Sequence, residues 1–454
     1  MKILSRSKIY DILFLCIGMV FVVVAFLIKQ EKISFAIKLI EIGYSTSINL
    51  FTHKHGSTFG LMVSIMYLMS HVYVIGYNKD YDHRRKLYFN TIYFFSALLA
   101  FLMSLAENMF TMFLFYETLT LMTYPLICFS KTEKSIKVSN YYLLSLIVPS
   151  ILLLMPAIML IYYEVGNTSF TEGGILSSSG ITKYEIELLY MAVVFGIAKT
   201  AIIPMHKWLP RAMVASAPVS GMLHGVAVVK SGIFMLLMIT YFIFGDQLLS
   251  SSLEVFFGIN WLTLIAILGM VFASLKAFSQ VEIKARLAYS TIAHLSIMIS
   301  MISLLNVNIF ELVIYYMFAH GVGKIILFYS TGLLQKEHGV VNIAEISGIG
   351  KISSFPILAF LIGTLSLFGF HGGMMYHAKH SFADILLSNN IYILLMSFSF
   401  TSICGLIYLG KIPYYAFFKN SHNLKDIKKS KFNFMKLSLI LLILINCISY
   451  FNIF

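Results

Sequence analysis

Charge is scarce in this chain of 454 residues: Asp, Glu, Lys and Arg make up 12% of it, against 59% hydrophobic residues. A soluble domain carries about 25% charged and about 45–50% apolar residues. That gap excludes a soluble enzyme, a nucleic-acid-binding domain and a disordered chain. Cysteine is scarce as well. Cys16, Cys128, Cys404 and Cys447 all sit in apolar runs and form no Cys-x-x-Cys pair. Disulfides, zinc and iron–sulfur clusters therefore have no support, and no metal or cofactor is expected. The alternation of apolar and polar residues that marks a membrane barrel is missing too. No linker, low-complexity tract or soluble domain stands out, so there is no place for a nucleotide-binding motor or a redox domain. Any transport must be driven by an ion gradient or by a partner.

What the chain does have is long apolar runs, such as Ile151–Ile161 and Leu437–Leu444, and a mean hydropathy of +0.85. These predict an all-α polytopic membrane protein. A span needs about 20 apolar residues. Thirteen are predicted, near 9–29, 59–77, 87–105, 109–129, 138–163, 186–204, 219–244, 257–275, 286–305, 309–334, 352–376, 390–410 and 434–452. The basic stretch before residue 9 and the length of the run after it predict a first membrane helix rather than a cleaved signal. A fourteenth span near 34–51 is interrupted by Lys38, Glu41 and several hydroxyl residues. Thirteen helices would place the N-terminus inside, fourteen outside.

The net charge of +13 reads as loop asymmetry. Loops 78–86, 131–137, 205–218, 276–286, 335–351 and 411–436 hold 21 Lys and Arg. The alternate loops 51–58, 106–108, 164–185, 245–256 and 306–308 hold two, Lys54 and Lys183. The positive-inside rule puts the first set in the cytoplasm, with the C-terminus outside.

Ionisable residues inside spans cost a few kcal/mol each on insertion scales and are functional candidates by default. Those singled out are Glu117, Lys199, His224 and Lys230, His294, His320 and Lys324, and Lys379 just past the 352–376 span, with His371 and His377 close by. Glu117 lies too deep to snorkel, whereas Lys199 has a cytoplasmic end within reach. His294 and His320 also have a plainer reading as hydrogen bonds between helices. His320 and Lys324, four apart, share a helix face. Lys199 precedes Pro204, which removes a backbone donor and ends or kinks a helix. Lys379 follows Gly369, Gly372 and Gly373, which loosen one. Interrupted helices at matching places in two halves point to a transport site. The spacing nearly repeats: Glu117 to Lys199 is 82 residues and His294 to Lys379 is 85. A duplicated five-helix unit is expected, 109–244 and 257–410, inverted by the parity of the topology. Helices in 1–105 would precede the pair and one at 434–452 would follow it, all within a single membrane domain. Groups whose protonation burial and neighbours can shift suit a proton path better than an organic substrate.

At these residues the chain resembles a known family. AKTAIIPMHKWLPRAMVASAPVSGMLHGVAVVKSGIF is similar to the signature of the complex I antiporter-like subunits and the Mrp-type monovalent cation/proton antiporter subunits. FLFYETLTLMTYPLI, VEIKARLAYSTIAHLS and HGVGKIILFYSTG resemble three further motifs of that family. GMLHGVAVVKSGIF is most like the D-type member among the Mrp antiporter subunits. The resemblance covers about residues 87–380. It implies fourteen helices, two inverted repeats and a proton path. In that path Glu117 and Lys199 form the first pair and Lys230 bridges the halves. His294, His320 and Lys324 form the central relay, and Lys379 is the terminal lysine. Where the family has G-L-P-P-x-S-G-F-x-S-K, this chain has GFHGGMMYHAK, with both prolines gone and two histidines gained. Glu282 stands for the family's Asp, and Ser216 for its first proline. With one final span, the chain reads as one of the family's short subunits.

The leading expectation is therefore a proton-translocating subunit of a multisubunit Na⁺(K⁺)/H⁺ antiporter in a bacterial plasma (inner) membrane. Its partners would be other membrane subunits, protons, monovalent cations and the lipid bilayer, and not nucleic acid. A second reading is a proton-pumping membrane subunit of NADH-quinone oxidoreductase or a membrane hydrogenase, without a redox centre of its own. A third, motivated by the altered 369–379 segment, is a non-conducting scaffold subunit.

Overall fold

A computed structural model describes residues 6–42, 46–253, 255–256, 258–419 and 433–448. The chain opens with helix α1 (Arg6–Lys29), whose outward face, including Ile9, Ile12, Leu13, Met19 and Val20, is apolar. An antiparallel hairpin follows, β1 (Ala36–Ile42) and β2 (Thr46–Phe51), in a register that pairs Ala36 with Phe51 and Ile42 with Thr46. This corrects the expectation of a fourteenth helix at 34–51. The segment is rich in Ile, Ser and Thr, and its Lys38 and Glu41 interrupt any continuous apolar helix face. The hairpin is anchored to the turn between the next helices. Phe51 N–H donates to Leu105 O (2.7 Å), Glu107 N–H to Asn49 O (3.2 Å) and Asn49 N–H to Thr111 Oγ1 (3.1 Å).

Helices α2 (Lys54–Tyr77), α3 (His83–Ser104) and α4 (Met109–Ile127) then run back and forth. Their starts carry side-chain caps: Asp82 accepts from Arg85 N–H, and Asn108 from Thr111 N–H. Such caps satisfy donors that a helix start otherwise orphans. Near their starts α1 and α3 are joined by a buried ion pair, Lys86 Nζ to Asp11 Oδ2 at 3.0 Å. Near their ends the Phe21 and Phe101 rings meet at 5.0 Å. The two helices are therefore parallel, and the start of α1 lies on the same side as the 78–86 loop.

Helix α5 (Glu133–Pro149) passes through a widened π turn at Ser150–Leu154 into α6 (Met155–Val165). Helix α7 (Lys183–Gly196), started by a Thr182–Glu185 capping box, stops short of a full crossing. Irregular chain containing α8 (Trp208–Arg211) leads to α9 (Ala217–Gly221), a second π turn at Met222–Val226, α10 (Val228–Ile239) and a third at Thr240–Phe244. After the short α11 (Asp246–Ser252) come α12 (Trp261–Phe278), α13 (Ile283–Ser303) and the 30-residue α14 (Ile309–His338). Helix α15 (Ser354–Phe368) breaks before α16 (Met374–Ser388), and α17 (Tyr392–Phe418) and α18 (Phe434–Ile448) complete the bundle. The last helix begins beside the end of α2, where Ser438 Oγ donates to Met69 O at 2.7 Å.

Ten helices among the described residues are long and apolar enough to cross a membrane, against thirteen predicted spans. The shortfall is local. Helices α7, α15 and α18 have 14, 15 and 15 residues, below the roughly 20 of a full span. Two of the three are first halves of interrupted crossings. Parts of the predicted 411–436 loop and of the final span, at 420–432 and 449–452, lie outside the described residues. Helices α10, α13 and α14 are the innermost, buried along almost their whole length.

Candidate polar site within the bundle

The two interruptions differ in construction. Helix α7 ends at Gly196, so Lys199 lies within the break rather than on the helix before it. Pro204 accounts only for the later part, where the Ile203–Pro204 peptide is cis. What ends the helix earlier is packing from afar. A Cβ on Gly196 would sit 2.7 Å from Leu154 N in the first π turn. Trp208 Nε1–H donates at 3.0 Å to Ala198 O, a carbonyl the helix no longer uses. Ala201 adopts a left-handed φ of 51°. The second interruption follows its glycines. Gly369 (φ 90°) ends α15, Gly372 has φ 98°, and Gly373 stands immediately before α16. These angles are readily open only to glycine.

Lys199 is fully buried, and its amine meets α4 rather than a carboxylate. Nζ donates to Tyr116 O and stands 3.5 Å from the centre of the Tyr116 ring, while Lys199 N–H donates to Tyr116 Oη at 3.2 Å. Glu117, the next residue, is half-buried. It lies within electrostatic reach of Lys199 and against Ser150 of the π turn, yet forms no ion pair with the lysine within 4 Å, and its Oε1 has no hydrogen-bond partner. The expected direct Glu117–Lys199 contact is thus replaced by one through Tyr116. Helix α10 closes on the break from the other side, where a Cβ on Gly232 would lie 2.8 Å from the Lys199 backbone.

Two residues before Gly232, Lys230 faces the centre. Its Nζ lies 2.5 Å from His320 Nδ1, and both residues are fully buried. The His320 ring is 4.8 Å from the His294 ring, and His294 Nδ1 lies 2.8 Å from Tyr316 Oη. Lys324 donates to Leu287 O at 3.1 Å. His224, in the second π turn, is fully buried against Phe328 with neither ring nitrogen hydrogen-bonded, and it senses Lys230 and Lys324 electrostatically.

Beyond His294 a small cavity, with room for about one water molecule, is lined by Ser290, Thr364 and Lys379. Lys379 Nζ donates to Ser402 Oγ (2.8 Å) and Phe368 O (3.1 Å), the last carbonyl before the break. His371 and His377, on either side of the start of α16, are exposed.

Among the described residues no carboxylate pairs with Lys230, Lys324 or Lys379 within ion-pair distance. Uncompensated buried charges are costly. A row built this way cannot carry every cation at once. Several of its members were not legible as site residues. Tyr116, Tyr316 and Ser402 carry neutral hydroxyls that are common in any membrane helix; only Tyr116, next to Glu117, had a positional hint. The Asp11–Lys86 pair is a further one the sequence reading did not single out, although Asp11 lies inside the predicted span 9–29 and Lys86 just outside the span at 87–105.

Fold and site together define a polytopic integral membrane protein with its ionisable groups gathered inside. The chain belongs to the NADH:quinone oxidoreductase/Mrp antiporter transmembrane family, whose model matches residues 106–405. It is 28% identical over 374 residues to the Staphylococcus aureus (strain USA300 / TCH1516) protein named "Putative antiporter subunit mnhA2", and 27% identical to the same subunit of strain JH9. Each match takes in 78% of this chain but 45% of the relative, so the chain spans under half the length of these proteins. Two solved structures share its fold. A chain of the Mrp complex from Dietzia sp. DQ12-45-1b has a TM-score of 0.83 at 16% identity, covering 98% of this chain and 90% of that one. A chain of the archaeal membrane-bound sulfane sulfur reductase has 0.82 at 20%, covering 97% and 88%.

Proposed function

We propose that the chain is a proton-translocating membrane subunit of a multisubunit monovalent cation/proton antiporter. The observation that carries this is the chain of contacts Lys230–His320–His294, flanked by a buried lysine at each helix break. Lysine and histidine exchange protons near neutral pH when burial and neighbours tune them, and a hydrogen bond or a single water suffices to pass a proton between them. In this reading Glu117 and Lys199 serve the first half, and Lys230 bridges to the second. His294, His320 and Lys324 form the central relay, with His224 accessory, and Lys379 serves the second half. The halves are 109–244 and 257–410, inverted with respect to each other. The 21-to-two charge asymmetry orients the basic loops, and with them the start of α1, toward the cytoplasm of a bacterial cell. The GMLHGVAVVKSGIF stretch favours a D-type position within the antiporter.

A second reading, a proton-pumping subunit of a respiratory membrane complex, draws on the fold shared with the sulfane sulfur reductase chain. One preparation separates the two. Affinity purification from native membranes should bring down other small antiporter subunits; co-purification of quinone- or flavin-handling subunits would replace the first reading with the second. In the intact assembly His320→Ala should abolish ΔpH-coupled cation exchange. Unchanged exchange with His320→Ala would remove the central relay.

A further inference from the structure

A buried ammonium needs a compensating partner, since an uncompensated one is costly. Lys199 is fully buried, and among the described residues no carboxylate stands within ion-pair distance of its amine. One residue of α4 meets it instead. The Tyr116 carbonyl accepts from Lys199 Nζ, the centre of the Tyr116 ring lies 3.5 Å from Nζ, and the Tyr116 hydroxyl accepts from the Lys199 N–H at 3.2 Å. A ring face attracts a cation out to about 6 Å, most strongly where both are shielded from water. Tyr116 is as buried as the lysine.

The neighbouring elements bring nothing that competes for this contact. From α5, Tyr142 lies close to Tyr116, but its hydroxyl is shared with Thr123 Oγ1 at 2.7 Å and its ring packs on Trp208, the centres 5.5 Å apart. Helix α10 presents Gly232 to the Lys199 backbone, and its own Lys230 turns to His320. The charged side chain that reaches Lys199 electrostatically is Glu117. One position on from Tyr116, it stands about 100° further round α4, against Ser150 of the first π turn. The amine thus has two partners at adjacent positions of one helix, an aromatic face and a carboxylate, and it occupies the first.

We propose that Tyr116 is a positioning residue, an aromatic seat that holds the protonated Lys199 amine away from Glu117 and lets it go when the amine gives up its proton. The seat rests on the proton-path reading and extends it by naming what holds the first-half lysine when its carboxylate does not. Its preference for one charge state comes from the ring. The negative face of the aromatic quadrupole attracts an ammonium and has no comparable hold on a neutral amine. The carbonyl, by contrast, accepts a hydrogen bond from either form. With the proton bound, the seat keeps the amine off Glu117, whose carboxylate is then open to take up a proton of its own. With the proton passed on, the ring loses its grip and the amine is released to move.

The test compares Tyr116→Phe with mono-, di- and trifluorinated phenylalanines placed at the same position by stop-codon suppression, all in the assembled complex. Fluorine draws electron density from the ring face and nearly preserves its shape, so the series weakens the hold on a cation while packing stays. All members lack the hydroxyl, which makes Tyr116→Phe the reference. Because the ring holds the ammonium form, weakening it lets that form fade at lower pH. The alkaline limb of ΔpH-coupled cation exchange should therefore move toward acid with each fluorine, by about one pH unit at the trifluoro ring. A limb that stays put across the series, or moves the other way, overturns the seat. A second measurement needs no transport. In the solubilised protein the trifluoro ring should lower the melting temperature more at about pH 6 than at about pH 9, since stability tied to the ammonium is lost as pH rises; an equal loss at both overturns the seat as well. Failure of the proton-path reading is distinct, because exchange would then survive His320→Ala whichever ring stands at position 116.

Discussion

Replacing Lys379 with arginine separates a titrating group from a fixed charge. The lysine amine has two acceptors, Ser402 Oγ and Phe368 O, and no carboxylate within ion-pair distance. Arginine keeps the positive charge and can reach both acceptors, so assembly should survive. It cannot give up its proton. A guanidinium stays protonated in proteins, and neutralising one in water near pH 7 costs on the order of 5 pK steps at about 1.36 kcal/mol each, or about 7 kcal/mol. As a barrier, that slows each turnover by about 10⁵. The assay is ΔpH-driven cation exchange in everted vesicles containing the whole complex, with co-purification of the partner subunits as the check on assembly. Lys379→Arg should assemble at wild-type yield and transport nothing measurable. Wild-type exchange by an assembled Lys379→Arg complex would refute the reasoning and leave the C-terminal half as scaffold.

Three further outcomes follow from contacts in the bundle. Asp11→Asn removes one partner of the buried Lys86 pair and should cost about 3–5 kcal/mol; Asp11→Asn with Lys86→Met should recover most of it in thermal unfolding of the solubilised protein, and an unrecovered double variant would mean the pair is not the cause. Tyr116→Phe strips the hydroxyl that accepts Lys199 N–H and leaves a buried donor unmet, for a loss of about 1–3 kcal/mol; an unchanged melting temperature would count against that bond. Gly369→Ala forces a side chain into φ 90° and places its Cβ 3.0 Å from Lys379 Cδ. It should lower stability by about 1–3 kcal/mol and impair transport more than Gly410→Ala, where a Cβ meets nothing within 4 Å.

How far the sequence could be read depended on whether the cause was local. Apolar runs lie in the chain itself, and the helices start within a few residues of the predicted spans, although α7 and α15 end well short of them. The second break was visible because Gly369, Gly372 and Gly373 carry the required φ values in their own chemistry. The first was placed too late, because its cause is the contact of Gly196 with Leu154 and of Trp208 with Ala198, residues far apart in the chain or buried in a motif. The segment at 34–51 is ambiguous in sequence, since an Ile-rich run fits helix or strand until its partner strand is known. Among the site residues, lysines and histidines announced themselves by their cost in a membrane. The hydroxyls of Tyr116, Tyr316 and Ser402 cost little there, and only the fold gives them neighbours.

The hairpin has a mechanical consequence for the first half of the bundle. Asn49 N–H holds Thr111 Oγ1, and Asn108 Nδ2–H donates to Ser47 O at 3.0 Å. Thr111 lies six residues before Glu117, about 9 Å along the same helix. Rotating or sliding α4 would tear these bonds from a strand that is itself paired along its length. The carboxylate therefore sits on a clamped arm. On the opposite side Lys199 hangs from a short irregular segment, steadied by a turn of 3₁₀ geometry, one indole bond and its contacts with Tyr116 rather than by a continuous helix. Any stroke that makes or breaks their coupling must be taken up by the lysine, and stiffening the clamp would leave its travel untouched.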